Sequence, residues 1–189
     1  MNNIKNNQFT AEHDDELLEC FDNNGKTISP ETRQNVHGLP LSIWHGVASV
    51  WLINSKGDIL CSKRSELLSG NPGKWQTYFG GHIKVGSNFL KTAQEELEEE
   101  IGLTLHPESL ILVESGKRED VMHLYHLYAV LFNGKPSTLN FSDGEIVEAK
   151  WYSFHEYEQQ KNTNPTQWCN SIKLDQYNKT ISGLGLKLG

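Results

Sequence analysis

The stretch Gly80-Gly81-His82-Ile83-Lys84-Val85-Gly86, followed by Glu95-Glu96-Leu97-Glu98-Glu99-Glu100-Ile101-Gly102-Leu103, decides how this chain is read. It sets a glycine-rich turn ahead of a helix that carries an excess of carboxylates on one side. Glu96, Glu99 and Glu100 stand at i, i+3 and i+4 and so share a face. Like charges at that spacing destabilise a bare helix by about 0.2–0.5 kcal/mol per pair. A divalent cation reverses the sign of that term. Hard cations such as magnesium take oxygen ligands, and they often sit between carboxylates and a substrate phosphate. The opposite face carries Phe89, Leu90, Ala93, Leu97 and Ile101 at helical spacing. Gly102 is expected to stop the helix. Charge runs are usually solvated faces, but the preceding turn and the apolar stripe argue against that here.

This segment resembles the Nudix box, the motif of hydrolases that cleave nucleoside diphosphates linked to another group. The family pattern is Gly-x5-Glu-x7-Arg-Glu-U-x-Glu-Glu-x-Gly-U, with U aliphatic. Counted from Gly81, the chain matches at Glu96, Leu97, Glu99, Glu100, Gly102 and Leu103. It departs at Ser87, where the family has its first Glu, and at Glu95, where it has Arg. The resemblance implies that Glu96, Glu99 and Glu100 ligate magnesium, or manganese in its place, helped by the backbone carbonyl of Gly80. It places Gly81 and His82 against the substrate. In the family the Arg pairs with a metal-site carboxylate and orients it. Glu95 cannot do so and adds repulsion, which Lys91 one turn earlier offsets only as a flexible point charge. Ser87 is expected to cap the helix N-terminus.

The chain has 189 residues, enough for one domain with a sizeable core. Its net charge of −7 argues against nonspecific nucleic-acid binding and is compatible with a metal-bridged phosphate ester. No apolar run is long enough to span a membrane, and Met1 to Thr10 lacks a signal-peptide core. Cys20, Cys61 and Cys169 are odd in number and widely spaced, which suggests a reducing, cytoplasmic setting and no disulfide framework. The expected organisation is a flexible arm over 1–15, a single domain over 16–179 and a tail over 180–189.

Leu17 to Phe21 reads as a strand, and Thr27 to Gly38 as a second short strand or loop. His45 to Ile53 and Asp58 to Arg64 read as a hairpin about the turn Asn54-Ser55-Lys56-Gly57. After the acidic helix, Leu110 to Glu114 and Val121 to Phe132 read as strands joined by the charged turn Gly116 to Asp120. Val147 to Phe154 reads as another strand, and His155 to Lys179 as helical. The order gives an α/β (α+β) chain with a mixed sheet, and the resemblance implies a Nudix-type α/β/α sandwich over about Leu17 to Tyr177.

Outside the box, Arg64 ends a strand where similar family members turn an Arg to substrate phosphate, and its planar fork suits that anion. The alternative is a surface cation. Family members often carry an acid just before the strand that here holds Trp151. Glu145 and Glu148 both qualify as a further metal ligand or general base, which must reach the attacking water. The site expected from these readings has Glu99, Glu100 and Glu148 as catalytic residues and Arg64 on the phosphates. His37, His45 and His82 resemble a pattern of isopentenyl-diphosphate isomerase, which has a His pair around its first core strand and a Cys-Gly-His turn. Gly80 stands where that enzyme needs its cysteine. These histidines are therefore read as structural, as are His123 and His126. Trp44, Trp51 and Trp75 are read as core before ligand platforms.

The expected function is divalent-cation-dependent hydrolysis of a small diphosphate, most simply a nucleoside diphosphate linked to another group. Two rivals stand beside it: a nucleotide-binding module of the same fold with little catalysis, motivated by Ser87 and Glu95, and a prenyl diphosphate isomerase. The expected partner is the small-molecule diphosphate, with neither nucleic acid nor membrane. Many relatives dimerise, so a homodimer is also among the expectations.

Overall fold

A computed structural model describes residues 14–187, apart from 69, 143, 170 and 171. Most of the expected N-terminal arm, and the last two residues of the expected tail, lie outside the described residues. In chain order the elements are β1 (Leu17–Leu18), β2 (Cys20–Phe21), β3 (Glu31–Thr32), α1 (Arg33–Val36), β4 (Trp44–Ile53), β5 (Ile59–Arg64), β6 (Trp75–Gln76) and β7 (Phe79–His82). They continue with α2 (Phe89–Ile101), β8 (Ile111–Arg118), β9 (His123–Leu131), β10 (Ile146–Tyr152), α3 (Phe154–Thr163) and α4 (Leu174–Gly183).

β4 is the axis of the molecule. Along one edge it pairs in parallel with β9 from His45↔His123 to Ile53↔Leu131. Its other edge is divided between β2, at Cys20↔His45 and Phe21↔Trp44, and β7, at Val47↔His82 to Val50↔Phe79, with β5 joining only at Ile53↔Ile59. The sheet order is β10-β5-β4-β9-β8, which makes it mixed. The expected hairpin is therefore only a tight turn. Because β7 and β2 occupy the β4 edge, β5 leaves after one residue pair and takes β10 and β6 as partners.

Side-chain alternation sorts the sheet into two faces. Ala48, Val50 and Leu52 of β4 pack with Phe79, Ala93, Leu97 and Ile101, so α2 covers one face. Trp51 and Ile53 pack with Ile59, Cys61, Tyr157, Tyr177 and Ile181, so α3 and α4 cover the other. The fold is an α/β/α sandwich. Tyr177 donates its hydroxyl to the Gly57 carbonyl at 2.9 Å, and Leu184 and Leu186 pack beside the same core after α4 ends. Among the described residues no helix is long and apolar enough to cross a membrane.

Four local expectations are corrected. Asn88, not Ser87, caps α2: its side chain accepts from the Lys91 N–H at 3.0 Å. Gly80 and Gly81 are strand residues of β7, and the turn follows at Val85 and Gly86. Gly116 to Arg118 continue β8, because the β9 ladder extends to Arg118↔His123 and moves the turn to 119–122. Thr27 to Gly38 holds a helical turn as well as a strand.

Leu97 is fully buried where α2 meets the sheet. Leu97→Ala is expected to lower unfolding stability by about 2–5 kcal/mol, the range for a buried Leu truncation, read as a shift of the urea midpoint with unchanged slope.

Candidate functional site

The site is built by docking α2 against β7. Gly80 turns its N–H away from β4 and donates it to Glu100 Oε1 at 2.9 Å. Its φ of 147°, and a hypothetical Cβ only 2.1 Å from the Ala48 carbonyl oxygen, allow only glycine there. Glu100 is 5% exposed. One helical turn earlier, Glu96 lies over Gly81 so closely that a Cβ at Gly81 would stand 2.3 Å from Glu96 Oε1. Glu99 is on the solvent rim. The three acids that share a helix face thus occupy three different environments.

Burial raises the Glu96 carboxyl to about 7, with the charges of Glu99 and Glu145 adding to the rise, while Lys84 and Arg33 oppose it. Lys84 Nζ lies 3.5 Å from Glu99 Oε2 and 3.8 Å from Glu16 Oε1. Burial works against the Lys84 charge, but Glu99, Glu96 and Glu16 outweigh it and hold its pKa above the ordinary value. Arg33 donates from Nε and Nη2 to Glu16 Oε2 at 3.0 and 2.7 Å. The acid cluster is therefore rimmed by two cations. Sequence reading missed Arg33 and Glu16, which reach the site only because the N-terminal segment folds over β7. Lys84 was in view within the glycine-rich stretch, and its charge beside the acids was the available signal.

The other expected residues divide. Glu145, just before β10, is among the charges that act on Glu96. Glu148 is elsewhere: it pairs with Lys150 at 2.6 Å, and the Lys150 amine lies over the Trp75 ring on the α3/α4 side. The register shift between Ile146 and Glu148 has this consequence, since Ile146 packs under α2 while Glu148 turns away. Arg64 donates from Nε to the Gly70 carbonyl at 2.9 Å and from Nη1 to Gln76 Oε1 at 3.2 Å, so it braces the loop after β5. His82 alternates to the face opposite Gly81 and joins His37, His45 and His123. His126 stacks on Phe89 with centroids 3.8 Å apart, and Trp44 and Trp51 are buried.

The two departures from the motif meet each other. Ser87 Oγ donates to Glu95 Oε2 at 3.3 Å, and Lys91 Nζ lies 3.4 Å from Glu95 Oε1. Glu95 is thereby held on the N-terminal half of α2, with its charge offset by Lys91.

The donors around Gly80 are carboxylate oxygens with a main-chain carbonyl nearby, a set that suits magnesium or manganese. A cation would relieve the resistance of Glu96 to ionising beside its neighbours.

Comparison with known proteins gives one family. The family model described as NUDIX domain matches residues 44–169. An uncharacterized Nudix hydrolase of Yersinia pestis is 30% identical over 88 residues, covering 47% of this chain and 47% of that protein. An isopentenyl-diphosphate Delta-isomerase of Clavibacter sepedonicus is 30% identical over 97 residues, covering 51% of this chain and 50% of that protein. The chain thus spans about half the length of these curated relatives. A crystal structure from Deinococcus radiodurans superposes with a TM-score of 0.67 at 16% identity, over 89% of this chain and 99% of that one, which shows the likeness of fold.

The raised Glu96 carboxyl has a consequence for stability. Between its ordinary value near 4.5 and about 7, the folded chain holds a proton that the unfolded chain has released. Its contribution therefore favours folding at low pH and is lost as pH rises through that window. In EDTA, Glu96→Gln is expected to flatten the decline of the urea midpoint between pH 5 and pH 7.5. An unchanged slope in the variant would contradict the assignment.

Proposed function

The chain belongs to the Nudix family, and from that premise we propose that it is a divalent-cation-dependent hydrolase of a small diphosphate, with nucleoside diphosphate derivatives as the substrate class. One observation carries the reading: Glu96 is held half-buried against Gly81, between two further carboxylates and beside two cations. Such an arrangement strains a bare carboxylate, and a diphosphate with its counter-ion would relieve it.

Glu96, Glu99 and Glu100, with the Gly80 carbonyl, are the residues proposed to hold the ion. When bound, magnesium or manganese supplies Lewis-acid charge to the diphosphate and to the attacking water. Lys84 and Arg33 draw the phosphates to the rim of the acid cluster and balance their charge. The base is Glu99 or Glu145, since both act electrostatically on Glu96 and Glu148 faces the other layer. Water adds to phosphorus, its proton passes to that carboxylate, and the phosphoanhydride P–O bond breaks to release a phosphate-bearing group. Glu100 keeps its hydrogen bond to Gly80 throughout and so holds α2 on β7.

The isomerase reading is disfavoured by the backbone itself. Gly80 stands at the position where that chemistry needs a cysteine, and the Ala48 carbonyl leaves no room for a side chain.

The test is a panel of nucleoside diphosphate derivatives, sugar nucleotides and prenyl diphosphates incubated with magnesium or manganese, with phosphorus products followed. Magnesium-dependent hydrolysis is expected, and it should be abolished in Glu100→Gln, where the amide oxygen can still accept from Gly80. Glu145→Gln should lower turnover by about 10²–10⁴-fold if it is the base, and Glu148→Gln should leave it unchanged. Nucleotide binding without any phosphate release would overturn the hydrolase reading.

A further inference from the structure

We propose that the cavity between the turn after β4 and the segment after β9 is a second binding site, one that takes a small flat anion, a carboxylate or phosphate carried on a single ring. The cavity encloses about 240 Å³, and its lining includes Asn54, Lys56, Asn133, Gly134, Lys135 and Trp151. Small-molecule pockets run to about 300–1,000 Å³. This one therefore suits a ring with one charged group rather than a whole nucleotide. Gly80 is paired with Ser49, four residues before the end of β4, so the cavity lies about 13 Å or more along the strand from the acid cluster.

Strand pairing assembles the site. Lys56 and Lys135 are far apart in the chain, and the parallel register that ends at Ile53↔Leu131 brings their two loops side by side. The Ser55 N–H then donates to Asn133 Oδ1 at 2.8 Å and ties one loop to the other. Both lysines are exposed, and among the described residues neither has a salt bridge. On a chain of net charge −7, two cations without acid partners at one opening draw in an anion.

The strongest single observation is the balance of hydrogen-bonding groups in the wall. Its acceptors are engaged. Asn54 Oδ1 accepts from the N–H groups of Lys56 and Asp58 at 2.9 and 3.0 Å, and Asn133 Oδ1 accepts from Ser55. The Gly134 carbonyl accepts from Trp151 Nε1 at 3.3 Å, and the Lys135 carbonyl from Thr138 Oγ1 at 2.7 Å. The Asp58 carboxylate beside the turn is held by Asn54 Nδ2 at 2.9 Å. Its donors are not engaged. Among the described residues, the Lys56 and Lys135 amines, Asn133 Nδ2 and the main-chain N–H groups of Gly134 and Lys135 have no acceptor. Spare donors and engaged acceptors favour a ligand group that only accepts, which is the character of an ionised carboxylate or phosphate.

Trp151 explains the ring. It is half-buried, and its indole N–H, the one polar group of the side chain, is committed to Gly134. It therefore offers the cavity ring surface alone, backed by Phe132 with centroids 6.1 Å apart. A flat ligand ring packs on such a surface by offset or edge contact, while its anionic group reaches the lysines at the opening. The site does not depend on the hydrolase reading, and either can fail alone.

The full chain in EDTA, its indoles labelled with nitrogen-15, would be titrated with nicotinate and with phenyl phosphate, and with neutral nicotinamide for comparison. The Trp151 indole N–H signal is identified by its loss in Trp151→Phe. It is expected to shift saturably at millimolar concentration with at least one of the two anions, and the tighter of them tells a carboxylate ligand from a phosphate. Replacing both lysines, Lys56→Gln with Lys135→Gln, should weaken that binding by about tenfold or more, the worth of one hydrogen bond to a charged group. Both side chains are exposed, so the double variant is expected to fold. Lys84→Gln, at the acid cluster, should leave the affinity unchanged. The proposal is overturned if neither anion gives a saturable shift, or if nicotinamide binds equally well. It is also overturned if the double variant keeps the full affinity, or if Lys84→Gln alone abolishes it.

Discussion

The hydrogen bond from the Gly80 N–H to the buried carboxylate of Glu100 is the contact on which the site depends. It lies in a shielded position, and it links the last turn of α2 to β7. With that point held, helix geometry dictates the rest. Glu96, four residues earlier, must come down over Gly81, and Glu99 must face the rim. The three acids are equivalent on a helical wheel but not in the folded chain, where one anchors, one is strained and one is exposed to solvent. Gly80 is required there, since the Ala48 carbonyl fills the space a side chain would need, whereas a side chain at Gly81 would displace the Glu96 carboxylate.

The altered motif positions form a small local arrangement of their own. Ser87 does not cap the helix; with Asn88 in that role, its hydroxyl turns to Glu95 and receives a bond from Thr92 at 3.2 Å. Glu95 is drawn toward Ser87 and Lys91 rather than into the acid cluster. The charges that do rim the cluster, Arg33 and Lys84, come from the N-terminal segment and from the residues just after β7. Electrostatic balance is therefore provided by residues that lie outside the motif's own pattern.

β7 has a different chemistry on each face. Gly81 looks toward α2 and its carboxylates, and His82 looks toward the histidines of β4, β9 and the end of α1. Carboxylates on one side and imidazoles on the other thus meet across one four-residue strand. Alternation along a strand makes this inexpensive to build, because adjacent residues need not compete for the same space.

The acidic helix, its apolar stripe, its glycine stop and the family resemblance were all legible in the sequence, because they rest on local periodicity. The strands were legible too, since Trp44 to Ile53 and His123 to Leu131 are rich in β-branched and aromatic residues. Local pattern does not carry register. The sequence could not choose between Glu145 and Glu148, because it does not show the register shift between Ile146 and Glu148 that turns Glu148 away from the face on which Ile146 packs. Nor could it foresee that Arg64 would be taken up by Gly70 and Gln76. The gathering of His37, His45, His82 and His123 lay beyond it as well, for a parallel strand pairing and an antiparallel one had to converge on β4. The chain alone determined which residues could ligate and which faces had to be buried. Only tertiary structure decided which of them meet, because meeting depends on pairings between residues far apart in the chain.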